Sequence, residues 1–224
     1  TRGKVLVDFD VRRERVRALV KEAAASAGGR PLIDEALLTE VTALVEWPSP
    51  ITGSFDAHFL DVPREALVAS MQGHQKYFPL EGPDGRLLNR FVTIANIDSP
   101  QPSLIRDGNE RVIRPRLSDA AFFFRKDRSQ PLSARLGRLG DMVFERRLGS
   151  LLDKTERVAA LAAYLAPSFG ADAAQARRAG ELSRCDLLSE MVGEFPELQG
   201  TMGAHYATHD GEPPTVCQAL GEFY

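Results

Sequence analysis

The stretch HQKYFPLEGPDGRLLNRFVTIANI, residues 74–97, decides how the first half of the chain folds. KYFPL and LLNRFVTIANI are both rich in aromatic and β-branched residues, and the pair Asp84-Gly85 lies between them. Aspartate followed by glycine tolerates the positive φ that a tight hairpin turn demands. The pattern therefore predicts strand, turn, strand. FVTIANI is almost continuously apolar, as expected of a strand with neighbours on both sides. In front of the first strand stand His74, Gln75, Lys76, Tyr77 and Phe78: an imidazole, an amide, an ammonium and two rings. Simple alternation in a strand buries one of Tyr77 and Phe78 and exposes the other.

Working outward, KVLVDFD (4–10) reads as a further short strand. The next segment, RRERVRALVKEAAASAG, places Val16, Leu19, Val20 and Ala23 at helical spacing and ends at Gly28-Gly29. A second helix is expected from an Asp34 cap to Glu46, with WPSPITG breaking it. Residues 63–73 suit a short helix with Pro63 in its first turn. Beyond residue 100 the β signal fades. IRDGNERVIRPRLSDAAFFFRKD reads as a loop and then a helix with Pro115 in its first turn. Long helices are expected over 143–166 and 171–192, followed by two shorter ones. The expected architecture is an α+β N-terminal domain, a small sheet with helices, over residues 1–120. An all-α domain follows over 121–224.

The composition is that of a globular chain, 43% hydrophobic and 26% charged. No run of about 18 apolar residues is present to span a membrane. Two cysteines, Cys185 and Cys217, suit a reduced, cytoplasmic compartment, with a single disulfide still open. The chain begins TRGKVLVDFD without an initiator Met and stops at GEFY within a helical pattern, so it is expected to be a fragment of a longer protein. The net charge of −3 hides an asymmetry: residues 100–160 carry 13 Lys and Arg against 8 Asp and Glu. A basic middle in an otherwise acidic chain suits an anionic partner, or a solvated helix face laced with ion pairs.

The common phosphate loops GxxxxGK[ST] and GxGxxG are absent from the sequence, as are HExxH and CxxC. His205 and His209 share a helix face, with Asp210 beside them. They suit a metal pair or, more simply, a surface helix end. Asp153, Glu156 and Asp186 could pair as acid and base or stand apart on helix surfaces. What remains is an inventory for recognition. Arg106, Arg111, Arg114 and Arg116 fall within eleven residues, with Asn109 among them, and Arg125 and Lys126 follow Phe122, Phe123 and Phe124. Guanidinium groups bind phosphates bidentately. Rings at His74, Tyr77 and Phe78 could stack on an unpaired base, as RNA ends require.

Five segments carry more than composition: LVEWPSPITGSFDAHFLDVPREALVASMQGHQKYFPL (44–80), FVTIANI (91–97), GNERVIRPRLSDAAFFFRKD (108–127), FERRLGSLLDKTERV (144–158) and CDLLSEMVGEFPELQGTMGAHYATHDGE (185–212). In order and spacing they resemble the β subunit of the bacterial two-subunit glycyl-tRNA synthetase. The resemblance implies that the first domain is similar to a domain of the phenylalanyl-tRNA synthetase β subunit, and the second to an HD domain. It implies an α subunit that holds the class II active site with ATP and Mg, and no cofactor in this chain. It further implies an α2β2 assembly in which the β subunit holds glycine tRNA and presents its 3′ end. His74, Gln75, Lys76, Tyr77, Arg106, Asn109, Arg111, Arg114, Arg116, Arg125 and Lys126 are the expected RNA contacts, with the α subunit as the other surface that some of them could face. An HD hydrolase needs His and Asp metal ligands, yet the corresponding positions here are Lys154 and the pair Cys185-Asp186. That departure weighs against the alternative reading, a metal-dependent phosphohydrolase. A scaffold for the α subunit is the third reading.

Overall fold

The structure is a computed structural model and describes residues 4–224. The chain divides into two compact units, residues 1–121 and 122–224.

The first unit is built on the hairpin of residues 74–97. β3 (Phe78–Glu81) and β4 (Leu87–Ala95) pair antiparallel around a turn in which Gly85 takes φ +76°. β4 is an inner strand of a four-stranded sheet, ordered β1-β3-β4-β2, with β1 at Arg30–Pro31 and β2 at Ser49–Ser54. α1 (Phe9–Ser26) and α2 (Glu35–Leu44) lay one apolar stripe each onto this sheet. Val16, Val20, Leu38, Val41, Phe78, Leu80 and Val92 form the shared core. Both helices start as capping chemistry dictates. Asp8 accepts from the Val11 amide at 2.9 Å and Asp34 from the Leu37 amide at 2.7 Å. α1 ends where Gly28 takes φ +79°.

Three expectations for the sheet and the segments beside it are corrected. Residues 4–10 are not a strand: the helix already begins at Phe9, because the Asp8 cap outweighs β-propensity in a segment without a sheet partner. WPSPITG does more than end a helix: Ser49–Ser54 is an edge strand running along β4, from Ser49 opposite Ala95 to Ser54 opposite Arg90. Pro50 is tolerated because β2 lies at the sheet's edge. Gly53 is required opposite Phe91, since a Cβ there would collide with the ring. Tyr77 and Phe78 are both buried, at 2% and 0% exposure. Tyr77 precedes β3, and Lys76 just before it takes φ +59°, so strand alternation does not govern it.

α3 (Arg64–Ala69) follows Pro63 and runs into a wider turn, Ser70–His74. α4 is one unbroken helix, Pro102–Asp127. Nothing in it is a loop, and Pro115 lies in its interior rather than in its first turn. Ile113, Leu117 and Ala120 bury one side of it, which holds the helix despite the missing amide donor.

The second unit is helical, as expected, with a small hairpin, β5 (Val143–Glu145) and β6 (Gly149–Ser150). That hairpin takes the first turns of the helix expected over 143–166, so α5 runs from Leu151 to Leu165. Gly149 at φ +91° and a reciprocal cap between Ser150 and Asp153 set the later start. The segment 171–192 is likewise not one helix. α6 (Ala173–Leu182) stops at Ser183, a short tight turn covers Cys185–Leu188, and α7 (Glu190–Glu194) follows. α5 and α6 pack closely at Gly180, where a Cβ would come within 2.6 Å of the Ala159 Cα. α8 (Thr201–His209) and α9 (Pro214–Gly221) match the two short helices expected.

Candidate functional site

Helix α4 carries the basic residues, and its geometry sorts them. Residues four apart share a face. Arg106, Glu110, Arg114 and Ser118 therefore line up along one flank, which borders two adjoining clefts in the first unit. One cleft, of 540 Å³, is walled by Ala23 and Ser26 of α1, Ala27 just after it, Thr52–Ser54 of β2, Arg90, Arg106 and Glu110. The other, of 640 Å³, is walled by Ser54–Asp56, His58, Phe59, Glu110, Arg114 and Ser118. Glu110 divides them and is held there, accepting from the Ser54 amide at 2.8 Å and its hydroxyl at 3.0 Å. Arg90 is anchored on the Ala27 carbonyl at 2.6 Å. Asp56 pairs with His58 at 2.8 Å, and this bond, with a smaller contribution from the nearby Arg114, holds its carboxyl below the usual range.

Arg111, Arg114 and Arg116 are exposed, and among the described residues their guanidinium groups pair with no carboxylate. Arg111 stands one turn from Arg114, while Arg116 points to the opposite flank. Arg106 pairs with its neighbour Asp107 at 3.0 Å, a contact that water screens heavily. The four arginines thus form a row on one flank and a single charge on the other.

The residues around the hairpin play another part. The Tyr77 ring stacks on Phe91 at 4.4 Å inside the core, and its hydroxyl donates to Asn109 Oδ1 at 2.6 Å. Burial pushes its phenol up to about 12. Neither Tyr77 nor Asn109 is therefore presented to a base; together they fasten α4 to the root of the hairpin. Phe78 is buried as well. Lys76 pairs with Glu40 at 3.0 Å, Gln75 is half-buried, and His74 is exposed. In the second unit Phe122 is 54% exposed, Phe123 and Phe124 are half-buried, Lys126 pairs with Glu190 at 2.6 Å, and Arg125 is exposed.

The expected HD positions do not assemble a metal site. Lys154 lays its ammonium 3.9 Å from the centre of the Phe144 ring. Cys185 is fully buried, and its thiol is pushed up to about 12, chiefly by that burial. Asp186 spends one oxygen on the amides of Gly200 at 2.6 Å and Gly203 at 3.2 Å, capping α8. Burial raises its carboxyl pKa in spite of those bonds. His209 meets Arg128 at 2.7 Å, and Asp210 accepts from the Leu132 amide at 2.6 Å, so neither belongs to a metal pair. Asp153 is engaged by the Ser150 cap. Among the described residues no group of three His, Cys, Asp or Glu side chains could hold a metal. A hydrolytic metal therefore does not fit this helical unit.

A buried ion pair occupies its interior instead. Arg135, 1% exposed, donates to the Asp127 carboxylate at 3.3 Å and to its carbonyl at 2.7 Å. Asp127 also accepts from the amides of Glu190 and Met191 at 2.9 and 3.0 Å and from the Tyr206 hydroxyl at 2.8 Å. Sequence reasoning named neither residue. It also missed Arg90, His58 and Glu110, which wall the clefts. No local signal marks them, because each acts through partners set by the fold. No helix among the described residues is long and apolar enough to cross a membrane.

Relatives of known name share this sequence closely. The chain is 54% identical over 220 residues to the glycine–tRNA ligase beta subunit of Pseudomonas putida (strain W619), covering 98% of this chain and 32% of that protein. It is 54% identical over 222 residues to the protein of the same name from Pseudomonas syringae pv. tomato, covering 99% and 32%. Against the Aeromonas hydrophila protein the identity is 52% over 223 residues, covering 100% and 32%. The chain thus spans about a third of the length of the curated relatives it matches. The family described as "Glycyl-tRNA synthetase beta subunit" matches residues 1–224, and the chain belongs to that family.

Proposed function

We propose that this chain is part of a glycine–tRNA ligase and that it holds tRNA while a partner α subunit, with ATP and Mg, attaches glycine. The observation that carries the reading is the row of arginines on α4, solvent-facing and bordering two open clefts, in a chain whose relatives are named glycine–tRNA ligase beta subunit. The chemistry suits positioning more than base readout. Tyr77 and Phe78, the rings nearest the hairpin, are committed to the core, whereas Arg106, Arg111 and Arg114 can reach phosphate oxygens from the surface. Phosphate contacts set register and orientation, which is what delivering a 3′ end to a distant active site requires. His74, Gln75, Arg116, Arg125 and Lys126 extend the contact set in this reading, on the RNA or on the α subunit. The two units would act as the phenylalanyl-tRNA synthetase β-like domain and an HD-like helical domain that keeps the fold without the metal. The assembly would be α2β2, in the cytoplasm.

Binding of glycine tRNA across a salt series tests this. Reversing Arg106 and Arg114 to Glu is expected to weaken binding at least tenfold. It should also lower the slope of log affinity against log salt by about 0.7–0.9 for each phosphate no longer neutralised. If affinity and slope are unchanged, the α4 row is not on the RNA, and the scaffold reading takes its place.

A further inference from the structure

The outward face of the second half of α5 is built like a core. Residues 158–171, VAALAAYLAPSFGA, contain no charged side chain. A surface helix places apolar residues on its inner stripe and charged or polar ones outside. The inner stripe of α5 is conventional: Leu151, Thr155 and Ala159 are buried, and Ala159 meets Gly180 of α6. The outer positions recur at the same helical spacing, yet they hold Leu161, Tyr164 and Leu165, which are 57%, 80% and 40% exposed. Phe169, in the turn that follows, is 81% exposed. Such a patch marks a surface that is normally covered. Its character also narrows the occupant. Permanent interfaces are more apolar than those that bind and release, and resemble a core cut in half. The curated relatives are about three times as long as the segment matched here, so in them most of the polypeptide lies outside the matched part.

We propose that the Leu161–Phe169 face of α5 is covered, in the full-length β subunit, by a segment of the same polypeptide lying outside these 224 residues. The covering segment presents an apolar face of its own, without charges at its centre.

Cysteine labelling tests it, because Cys185 and Cys217 are buried and contribute little background. Tyr164→Cys and Phe169→Cys are each introduced into the 224-residue chain and into full-length β subunit free of α subunit, with Glu156→Cys as an exposed control. The two reporter thiols are expected to react rapidly in the short chain and about 100-fold more slowly in the full-length one, with the control fast in both. Hydrogen exchange of the unsubstituted chains over residues 158–169 should give the same contrast. Equal rates in the two chains overturn the proposal. So does protection that appears only when the α subunit is added, or only as the protein concentration is raised, which would assign the face to the α subunit or to a second copy.

Discussion

Tyr77 shows how a residue's role changes with its surroundings. As a letter beside His74 and Lys76 it is a ring for stacking on a base. In the fold it is 2% exposed, stacked on Phe91 and bonded to Asn109. Tyr77→Phe is expected to cost about 1 kcal/mol of stability in urea denaturation, the usual worth of one such bond, and to leave tRNA affinity unchanged. Its titration gives a second check. Burial raises the phenol from the ordinary 10.0 to about 12, so the folded chain holds the proton more tightly than the unfolded one. That contribution is complete below about pH 10 and lost as pH rises toward 12. Tyr77→Phe should therefore flatten the alkaline fall in stability over that window. Asp127 tests the second unit. Asp127→Ala strips Arg135 of its only carboxylate partner among the described residues, and an uncompensated buried charge costs about 3–5 kcal/mol. A thermal melt that falls no further than for a surface substitution would show that Arg135 finds another partner.

At the scale of elements, capping chemistry is the most legible signal. Asp34 stands where a cap is expected and serves as one. Asp34→Ala should lower stability by about 1 kcal/mol and leave the sheet intact by circular dichroism. Hairpin chemistry is equally plain at Asp84-Gly85. Where local pattern misleads, a local preference meets a non-local partner. KVLVDFD has the composition of a strand, yet its Leu6 amide reaches only the Glu46 carbonyl, outside the sheet, and among the described residues no strand pairs with it. SPITGS, with its proline and glycine, has the composition of a break, yet it pairs along β4. α4 belongs to the same class, since its buried Ile113–Ala120 side carries the helix through Pro115. Pro115→Ala returns an amide donor to the Arg111 carbonyl and is expected to stabilise the chain by about 1–3 kcal/mol, read as a shift of the urea midpoint.

At the scale of the whole molecule, the basic middle of the sequence becomes a row of charges beside two clefts, and its effect should scale with salt. Raising salt from 50 to 200 mM is expected to weaken tRNA binding by about tenfold for each pair of phosphate contacts, and the Arg106 and Arg114 reversals should remove about that much of the dependence. The charge excess between residues 100 and 160 is visible in the sequence. Which arginines share a flank is not, and neither are Arg90 and His58 across the clefts. The hairpin, the capped helices, the α+β-then-helical order and the family can all be read from the linear chain, because each rests on residues close together or on their order along it. Three-dimensional packing alone makes Tyr77 core rather than surface, turns SPITGS into a strand, and sets Asp186 to capping a helix instead of binding a metal. Burial and pairing are set by contacts between residues far apart in the chain, and no local pattern records them.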